Sequence, residues 1–382
     1  MFRPLEAVYR HDRERKKCLS LLASDNVLSP AVRRALSSDM ASRYAFRPEF
    51  YSGTSMMHEV WRAAEDLAKS VFRCDFVSVA PLSGHLALMQ ALYVVAGRGG
   101  KVASVDPSAG GYPGLMEDKI VELFGYRVHF LPYKGFRLDL EESLRIVERE
   151  RPDAVVLGAS IFLYPMPVKE LSEAVHSYGG RVVYDGSHVL GLIAGGLFQK
   201  PLEEGADILL GSTHKSFFGP QGGIILTNDE KLARAVEETT FHKFVDNIHF
   251  NRVAGLAVAL DEMKRNGPAY AERVVSNASE LASSLDKYGV KPFKDSSGYT
   301  KSHQVYIPCT EQDGVRTRDV LEKSRILVDI AVRMGTCEVS RRGMGLKQMS
   351  RAARLCSRAL EGENVSAEVV ELVRRFQKIR YT

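Results

Sequence analysis

A lysine in the middle of the chain, Lys215, stands where an amine could do covalent chemistry. It follows the apolar run 208–210, ends the stretch Ser-Thr-His-Lys at 212–215, and precedes a Gly-rich segment at 219–223. An amine becomes a useful nucleophile for a Schiff base when its surroundings depress its pKa, and hydroxyls nearby suit a phosphate group. A lysine after a strand is also commonly a surface residue, so Lys215 alone does not decide between these interpretations.

An aspartate with a complementary role, Asp185, follows the apolar run 181–184 and begins Asp-Gly-Ser-His at 185–188. A carboxylate at a strand end can pair with the protonated nitrogen of a pyridine ring, which keeps the ring able to accept electrons. The alternative is a helix N-cap, a position that favours aspartate. The segment between Asp185 and Lys215 is long enough for about one crossover and one strand. This length predicts that the two residues lie on nearby strands of one sheet.

A third segment, Pro-Leu-Ser-Gly-His at 81–85, lies between a strand and a helical pattern. Small residues there expose backbone N–H groups at a helix N-terminus, which is a ready site for a phosphate. The signal is weak alone. Together with Lys215 and Asp185, it completes a set of strand-end sites that suits pyridoxal phosphate.

The elements that must position these residues alternate between helices and short apolar strands. The predicted strands are 76–80, 101–105, 127–131, 154–157, 181–184, 208–210 and 223–226, and the helices between them include 84–95, 138–150 and 168–177. Several strands are β-branched runs without alternation, as in a sheet buried on both faces. The pattern predicts an α/β fold with a mostly parallel seven-stranded sheet, whose ligands lie beyond the carboxyl ends of the strands.

The rest of the chain has a different character. A long helical pattern runs from about 251 to 288, with an expected break near Gly267 and Pro268. Strand-like runs at 303–307 and 326–330 then precede a polar, helix-rich tail, which indicates a smaller α+β domain. We therefore divide the chain into an N-terminal segment (1–30), a large cofactor-binding domain (31–288) and a small C-terminal domain (289–382).

The composition is ordinary for a soluble globular protein, with 45% hydrophobic residues among 382 and a formal net charge of +5. So mild a charge argues against nucleic acid as a partner. The five cysteines lack metal-ligand spacing, and their odd count fits a reducing cytosol. The charged N-terminus argues against a signal peptide, and no apolar stretch is long enough to cross a membrane. We expect a cytoplasmic protein without a metal.

Taken in order, these segments resemble the serine hydroxymethyltransferase family of pyridoxal phosphate enzymes, which has the aspartate-aminotransferase fold. The matching segments lie at 22–26, 51–54, 83–85, 110–112, 185–195, 213–215 and 332–344. They follow the family's order at similar spacings and cover most of the chain. The resemblance implies a pyridoxal phosphate-dependent transferase fold, and a homodimer whose active sites are shared between subunits.

The resemblance also implies roles for individual residues around the cofactor. Lys215 forms the internal aldimine beside His214, and Asp185 pairs with the ring nitrogen. Tyr112 replaces a histidine that stacks on the ring, which preserves the stacking but loses an imidazole. The other implied contacts are His188 and Ser160 near the ring hydroxyl, and Ser83, Gly84, His85 and Ser212 at the phosphate.

Further residues are implied on the substrate side. Arg333 and Ser24 hold the substrate carboxylate, the arginine by a bidentate fork. The implied catalytic set is Lys215, Asp185, His188, Tyr51 and Tyr112. The alternatives stay open: a surface salt bridge for Arg333, a helix cap for Ser24 and a core position for Tyr51.

Three further departures from the family matter. Phe46 stands where the family has the glutamate that assists folate-linked transfer; Glu49 could substitute, although Pro48 changes its backbone path. The stretch 242–247 lacks the glycines of a family loop that reaches the neighbouring subunit's phosphate, and Lys243 could replace their N–H groups. The chain is also shorter than we expect for a member with a full set of folate-binding loops.

The predicted function is that of a serine hydroxymethyltransferase-like enzyme of amino-acid and one-carbon metabolism. It interconverts serine and glycine, or cleaves a β-hydroxy amino acid, through an external aldimine and a quinonoid. The alternative is a folate-independent aldolase for threonine or another β-hydroxy amino acid. An aminotransferase or racemase of the same fold and an inactive relative are further alternatives, and the survival of Lys215 and Asp185 argues against the last. The preferred amino acid and the use of tetrahydrofolate stay open.

Overall fold

The computed structural model describes residues 3–47 and 49–382, which form two compact units. The large unit is Leu28–Ala271, and the terminal unit combines the described part of Met1–Val27 with Glu272–Thr382. The first residues of the chain therefore belong with its C-terminal part. The sequence instead predicts a separate segment at 1–30 and a boundary after 288, so the two divisions differ at both places.

The strands are short, as expected for a sheet in an α/β fold. They are β1 (Leu19–Ser20), β2 (Phe76–Ser78), β3 (Lys101–Val105), β4 (Arg127–Leu131), β5 (Tyr133–Lys134), β6 (Arg137–Leu138), β7 (Ala154–Leu157), β8 (Arg181–Asp185), β9 (Ile208–Ser212), β10 (Gly223–Thr227), β11 (Gln304–Tyr306), β12 (Ile326–Leu327) and β13 (Arg333–Gly335). The seven strands predicted between 76 and 227 are all present, with ends that agree to within two residues.

The helices vary widely in length. They are α1 (Pro4–Arg15), α2 (Pro30–Leu36), α3 (Ser55–Phe72), α4 (Gly84–Ala96), α5 (Glu122–Phe124), α6 (Leu140–Glu150), α7 (Val168–His176), α8 (Leu190–Ala194), α9 (Glu230–Thr240), α10 (Phe250–Lys287), α11 (Glu311–Lys323), α12 (Cys337–Arg341), α13 (Leu346–Leu360) and α14 (Ser366–Arg374). Short 3-10 turns lie at Asp39–Ser42, Pro107–Ala109 and Pro113–Leu115, and a π-helical turn lies at Glu117–Val121.

The large unit is built on a seven-stranded sheet with the strand order β2-β10-β9-β8-β7-β3-β4. Neighbouring strands from β9 to β4 pair in parallel, while β10 is antiparallel to both of its neighbours. All strands of this sheet except β10 therefore point their carboxyl ends to one edge. The predicted α/β fold with a mostly parallel seven-stranded sheet is confirmed.

The centre of the sheet is buried on both faces, as its β-branched runs predict. Strands β7, β9 and β10 are buried along their whole length. Leu88 of α4 shares one core cluster with Val183 of β8 and Ile208 of β9. Burial of each such side chain contributes about 1.5–3 kcal/mol. This packing holds α4, and with it the N-terminal end of α4, against the centre of the sheet.

Helix α10 runs without interruption through Gly267 and Pro268, so the predicted break there is wrong. A proline inside a helix removes one hydrogen bond and costs about 3 kcal/mol. The helix persists because both flanking turns are held by packing. Met263 before the proline and Tyr270 after it are almost completely buried. Tertiary packing here overrides the local preference of Pro268.

The terminal unit joins the two ends of the chain through strand pairing. Strand β1 runs parallel to β12, with Leu19 opposite Ile326, and β11 is antiparallel to β13. Leu19 and Ile326 also share a buried core with Leu281 of α10 and Met349 of α13. This core explains why residues near the N-terminus belong to the terminal unit rather than to a separate segment.

Candidate functional site

The carboxyl ends of β8 and β9 bring the predicted cofactor residues to one edge of the sheet. Asp185, the last residue of β8, lies opposite Leu210 of β9 in the parallel register. Ser212 ends β9, and Lys215 follows it after a short turn. In a parallel sheet the carboxyl edge is where ligands bind. The carboxylate and the amine that the sequence singles out therefore project from adjacent strands.

Asp185 is a half-buried carboxylate held by the turn that follows it. Its Oδ1 accepts a hydrogen bond from the backbone N–H of Ser187 at 2.9 Å. Burial raises the pKa of the Asp185 carboxyl, while the hydrogen bonds of Ser187 and the charges of Lys215 and His85 oppose the rise. A cationic group placed against this carboxylate would offset its desolvation. The pyridinium nitrogen of a cofactor ring is such a group.

The segment that carries Lys215 is tied down on both sides. The hydroxyl of Thr213 donates to the carbonyl of Pro220 at 2.7 Å. The hydroxyl of Ser216 accepts from the N–H of Gly191 at 3.0 Å, and its carbonyl accepts from the hydroxyl of Tyr270 at 2.8 Å. These hydrogen bonds hold the backbone on both sides of Lys215 in place. A fixed backbone would keep a cofactor attached to Lys215 in one orientation.

His214, next to Lys215, has an imidazole that stays neutral at neutral pH. Burial lowers the pKa of His214 to about 4, and the positive charge of Lys215 contributes to a smaller extent. Its Nδ1 is buried and has no hydrogen-bond partner among the residues that the structure describes. A buried polar atom without a partner is costly in the absence of a ligand. Its place beside the lysine fits a bound cofactor.

The predicted phosphate site lies at the N-terminus of α4. Ser83 is the N-cap, and its hydroxyl accepts a hydrogen bond from the N–H of Leu86 at 3.1 Å. A Cβ added to Gly84 would clash with the hydroxyl of Ser212 and lie 3.0 Å from the hydroxyl of Ser187. Glycine therefore lets the helix N-terminus approach two buried hydroxyls. Backbone N–H groups and hydroxyls gathered in this way are the donors that a phosphate needs.

Tyr112 and His85 form a hydrogen-bonded pair. Nδ1 of His85 lies 2.8 Å from the hydroxyl of Tyr112, and the ring centroids are 6.1 Å apart. Burial raises the pKa of Tyr112, and the negative charge of Asp185 raises it further. An aromatic ring beside His85 is able to stack on a cofactor ring, and this role of Tyr112 stays a prediction.

The other predicted residues of the large unit lie at different depths. Ser160 donates its backbone N–H to the carbonyl of Gly110 at 2.8 Å, which puts it beside the turn that leads to Tyr112. His188 is buried directly after the Asp185 turn. Tyr51, in contrast, is 42% exposed. Within the described part of the chain, no hydrogen bond or ring contact is found between Tyr51 and the Lys215 segment.

Ser187 is a site residue that the sequence reasoning missed. Its hydroxyl accepts from the N–H of Ser212 at 3.1 Å and lies 3.3 Å from the Ser212 hydroxyl. It therefore connects the end of β8 to the end of β9, next to Gly84. The signal was present, because Ser187 stands where the family segment that it resembles has alanine.

Ser24 and Arg333 belong to the terminal unit, where their segments run side by side. Leu22 forms an antiparallel bridge with Met334, and a Cβ added to Gly335 would lie 2.5 Å from the Cα of Ala23. The close fit of Gly335 lets the two segments touch. Two stretches from opposite ends of the sequence thus meet at the residues predicted to hold a carboxylate.

The side chain of Arg333 is engaged by an aspartate of its own loop. Its Nε and Nη2 lie 3.0 and 2.9 Å from Oδ2 of Asp329, whose Oδ1 accepts the N–H of Arg333 at 3.0 Å. Val332 between them is buried at a φ of +48°, a conformation that is strained for a β-branched residue. The guanidinium is therefore already held by a carboxylate in a strained loop.

The region of the folate-related departures is aromatic. Phe46 packs on Phe241 and Tyr51 with ring centroids 5.2 and 6.0 Å apart. The exposed Glu49 has its Oε1 3.9 Å from Nε2 of His58, which is beyond hydrogen-bond distance. Pro48 lies outside the described residues. The position that the family gives to a carboxylate is thus filled by an aromatic ring.

Lys243 lies on a loop that packs back onto the large unit. Its Nζ is 5.2 Å from the ring centroid of Tyr93, and Phe244 lies 5.7 Å from the same ring. An isolated bridge between Phe241 and Val245 closes the loop. The lysine is therefore in cation–π contact within its own chain.

Metal sites and membrane-spanning helices are both absent from residues 3–47 and 49–382. This part of the chain contains no group of histidine, cysteine, aspartate and glutamate that could hold a metal ion. None of its helices is long and apolar enough to cross a membrane.

Comparisons with known proteins show the family and the fold. The sequence profile of the serine hydroxymethyltransferase family matches residues 4–356. A serine hydroxymethyltransferase of Methanopyrus kandleri is 39% identical over 402 aligned positions, covering 99% of this chain and 94% of the relative. That of Methanocella arvoryzae is 37% identical, covering 95% and 92%. The crystal structure of an L-threonine transaldolase from Pseudomonas fluorescens superposes with a TM-score of 0.91 at 25% identity, covering 99% of this chain and 92% of that one.

The fold and these comparisons define a pyridoxal phosphate enzyme with the fold of the aspartate aminotransferases. The chain belongs to the serine hydroxymethyltransferase family, as the ordered motifs predict. The cofactor prediction is confirmed at the level of pyridoxal phosphate. The roles of individual residues stay predictions, and so does the use of tetrahydrofolate.

Lys215 should carry the cofactor. We expect borohydride reduction of the holoenzyme, followed by peptide mapping, to place the pyridoxyl group on Lys215, because this lysine alone follows β9 beside the neutral His214. Lys215→Arg should remove the label completely, while Lys231→Arg, on the exposed end of α9, should keep it. A label on any lysine other than Lys215 would show the assignment to be wrong.

Gly84 should be required for binding of the phosphate group. We expect Gly84→Ala to weaken the binding of pyridoxal phosphate roughly 10-fold or more, because the added methyl group would clash with the hydroxyl of Ser212 and crowd that of Ser187. Pyridoxal, which lacks the phosphate, should be affected much less. The control is Gly255→Ala, where the new methyl group would make only ordinary contacts of 3.4 Å. Equal losses for both ligands in Gly84→Ala would contradict a phosphate site here.

Proposed function

We propose that the protein breaks and forms the Cα–Cβ bond of a β-hydroxy amino acid, with glycine as the amino-acid product. One combined observation carries this proposal. Asp185, Ser212 and the segment of Lys215 lie at one edge of the sheet, whereas Phe46 packs among aromatic rings where the family has a carboxylate. Serine and glycine are the natural pair for this family. The filled Phe46 position favours a reaction that does not depend on tetrahydrofolate.

The residues of the large unit would hold the cofactor at both ends. Lys215 would bind it covalently, Asp185 would stabilise a protonated ring nitrogen, and the turn at Ser83 and Gly84 would hold the phosphate. Bound pyridoxal phosphate withdraws electrons from the α-carbon of the amino acid. Tyr112 would cover the ring. Its raised pKa keeps the phenol protonated, and its hydroxyl lies 2.8 Å from Nδ1 of His85.

The substrate carboxylate would be held by Arg333 and Ser24. An arginine recognises a carboxylate through two parallel hydrogen bonds, which orient the bond to be broken. In the overall reaction the β-hydroxyl loses its proton, the Cβ becomes a carbonyl carbon and the α-carbon takes up a proton. A side chain must therefore accept the hydroxyl proton. Tyr51 and His85 are the candidates that the sequence and the site offer.

A homodimer in the cytoplasm completes the proposal. The exposed apolar side chains near the start of α3 support a protein partner. Tyr44 is 49% exposed, Phe50 78% and Tyr51 42%. Contiguous aromatic residues in water mark an interaction site more often than an ordinary surface. A second copy of the chain covering this surface would bring Tyr51 toward an active site, as the family resemblance implies.

The decisive assay compares one-carbon transfer with direct cleavage. We expect L-threonine or L-allo-threonine to be cleaved without folate at least as fast as L-serine is converted with tetrahydrofolate. The reason is the missing carboxylate at Phe46, since acid–base help of this kind is typically worth ~100- to 10,000-fold. Product glycine is the readout in both assays.

Much faster folate-dependent serine turnover would contradict this preference. Glu49 would then be the substitute, and Glu49→Gln should abolish the folate-dependent reaction. Glu59→Gln is the matched control, because Glu59 is also an exposed glutamate in the same part of the chain.

The loop that holds Arg333 gives a second prediction. We expect Arg333→Lys to raise the KM for the amino acid about 10- to 100-fold, because the bidentate fork is lost. We expect Asp329→Asn to lower that KM several-fold, because a neutral amide competes less well for the guanidinium while its oxygen still accepts the N–H of Arg333. The measurement is steady-state kinetics at fixed cofactor. A higher KM in Asp329→Asn would show that Asp329 orients Arg333 instead of competing with the substrate.

A further inference from the structure

Arg252 is a buried arginine in the first turn of α10. Only 5% of its surface is exposed. Its Nη2 donates to the carbonyls of Val79 at 2.7 Å, Ile248 at 2.9 Å and Ala80 at 3.2 Å, and its Nε donates to Ile248 at 3.2 Å. The guanidinium thus joins the start of α10 to the segment that leads from β2 to the predicted phosphate site.

The charge of Arg252 has no anionic partner in the described part of the chain. All of its acceptors are backbone carbonyls, and its Nη1 has no hydrogen-bond partner there. A buried cation without a counter-charge is expensive. The position makes this worse, because the N-terminus of a helix already carries partial positive charge. Burial lowers the pKa of Arg252 to about 10, so the side chain still remains cationic at neutral pH.

The surroundings of Nη1 lead to the phosphate end of the site. A Cβ added to Gly222 would lie 2.8 Å from Nη1 and 3.0 Å from the hydroxyl of Thr213. The next residue, Gly223, pairs with Ser212, and a Cβ there would clash with the carbonyl of Ser83. The guanidinium therefore lies against the same backbone segments that present Ser83 and Ser212.

We propose that Arg252 is a positioning residue for the phosphate group of pyridoxal phosphate: it holds the two segments of the phosphate site together and supplies the positive charge that offsets the bound dianion. The inference rests on the phosphate site proposed at Ser83, Gly84 and Ser212. It explains why the sequence places an arginine at a helix N-terminus and glycine at 222. Lys243, the other cation considered for the phosphate, lies on Tyr93 instead.

The test separates charge from packing with two variants. Arg252→Gln keeps hydrogen-bond donors for the carbonyls of Val79 and Ala80 but removes the charge, whereas Arg252→Lys keeps the charge. The dissociation constants of pyridoxal phosphate and of pyridoxal are measured for each variant by the absorbance of the lysine-bound cofactor. Protection of the apoenzyme against thermal unfolding by inorganic phosphate is measured in parallel. Arg181→Gln is the control, because Arg181 lies at the opposite, amino end of β8.

We expect Arg252→Gln to lose about 10- to 100-fold in affinity for pyridoxal phosphate, with a change for pyridoxal of no more than about 2-fold. Protection by phosphate should disappear. Arg252→Lys should retain most of the affinity for pyridoxal phosphate and most of the protection by phosphate. Arg181→Gln should match the unaltered protein in both measurements. Equal losses for the two ligands, no loss in Arg252→Gln, or equal losses in the Gln and Lys variants would overturn the proposal.

The Gly84→Ala variant distinguishes the two levels of inference. If Gly84→Ala spares pyridoxal phosphate as well, the phosphate lies elsewhere and the proposed site itself fails. If Gly84→Ala weakens the binding of pyridoxal phosphate but the Arg252 variants do not, the phosphate site at Gly84 is supported and Arg252 has a purely structural role. Should Arg252→Gln fail to fold, the comparison of Arg252→Lys with the unaltered protein decides between the two roles. Retained phosphate protection and retained affinity for pyridoxal phosphate in that variant support the role of the charge, and loss of either one with unchanged affinity for pyridoxal overturns it.

Discussion

The parallel pairing of β8 with β9 is the constraint on which the site depends. It sets Asp185 opposite Leu210, so the carboxylate and the segment of Lys215 leave the sheet at the same edge. A change of register by one residue would turn Asp185 to the other face of the sheet. Such a shift would be costly, because β7, β9 and β10 are buried along their whole length. Each of their side chains would have to pack against different neighbours in the core. The chemistry of the site therefore follows from the packing of the sheet.

Close packing of glycines then determines what can stand at that edge. Gly158 lets the end of β7 approach Asp185, since an added Cβ would lie 2.8 Å from the Cβ of Asp185. Gly84 does the same for the N-terminus of α4 against Ser212, and Gly223 for β10 against the carbonyl of Ser83. Groups that carry charge, such as Asp185, are buried among these contacts. Each needs a counter-charge or donors from a ligand, which is the physical reason that the edge suits a charged cofactor.

Most of the sheet could be predicted, and so could the meeting of Asp185 and the Lys215 segment at one edge, because both leave local signals. Buried strands are β-branched runs, and Asp185, Lys215 and Gly84 occur at their ends. The continuity of α10 through Pro268 could not be predicted, because it depends on the packing of Met263 and Tyr270. The pairing of β1 with β12 also joins distant parts of the sequence. The ion pair between Asp329 and Arg333 could not be predicted, because it depends on the left-handed backbone of Val332. Nothing in the sequence of this segment distinguishes it from an ordinary loop.

Two of the departures from the family, at Phe46 and Lys243, fall where packing leaves freedom. Gly84, Gly158 and Gly223 face backbone or buried hydroxyls. A substitution at any of them would displace the elements around Asp185 and Ser212. Phe46 and Lys243, in contrast, lie on loops whose contacts are aromatic rings and partly exposed surfaces. Such contacts accept different side chains at small energetic cost. Substitutions on these loops can therefore change the side chains around position 46, while the placement of Asp185 and Lys215 at the end of their strands stays as the sheet dictates.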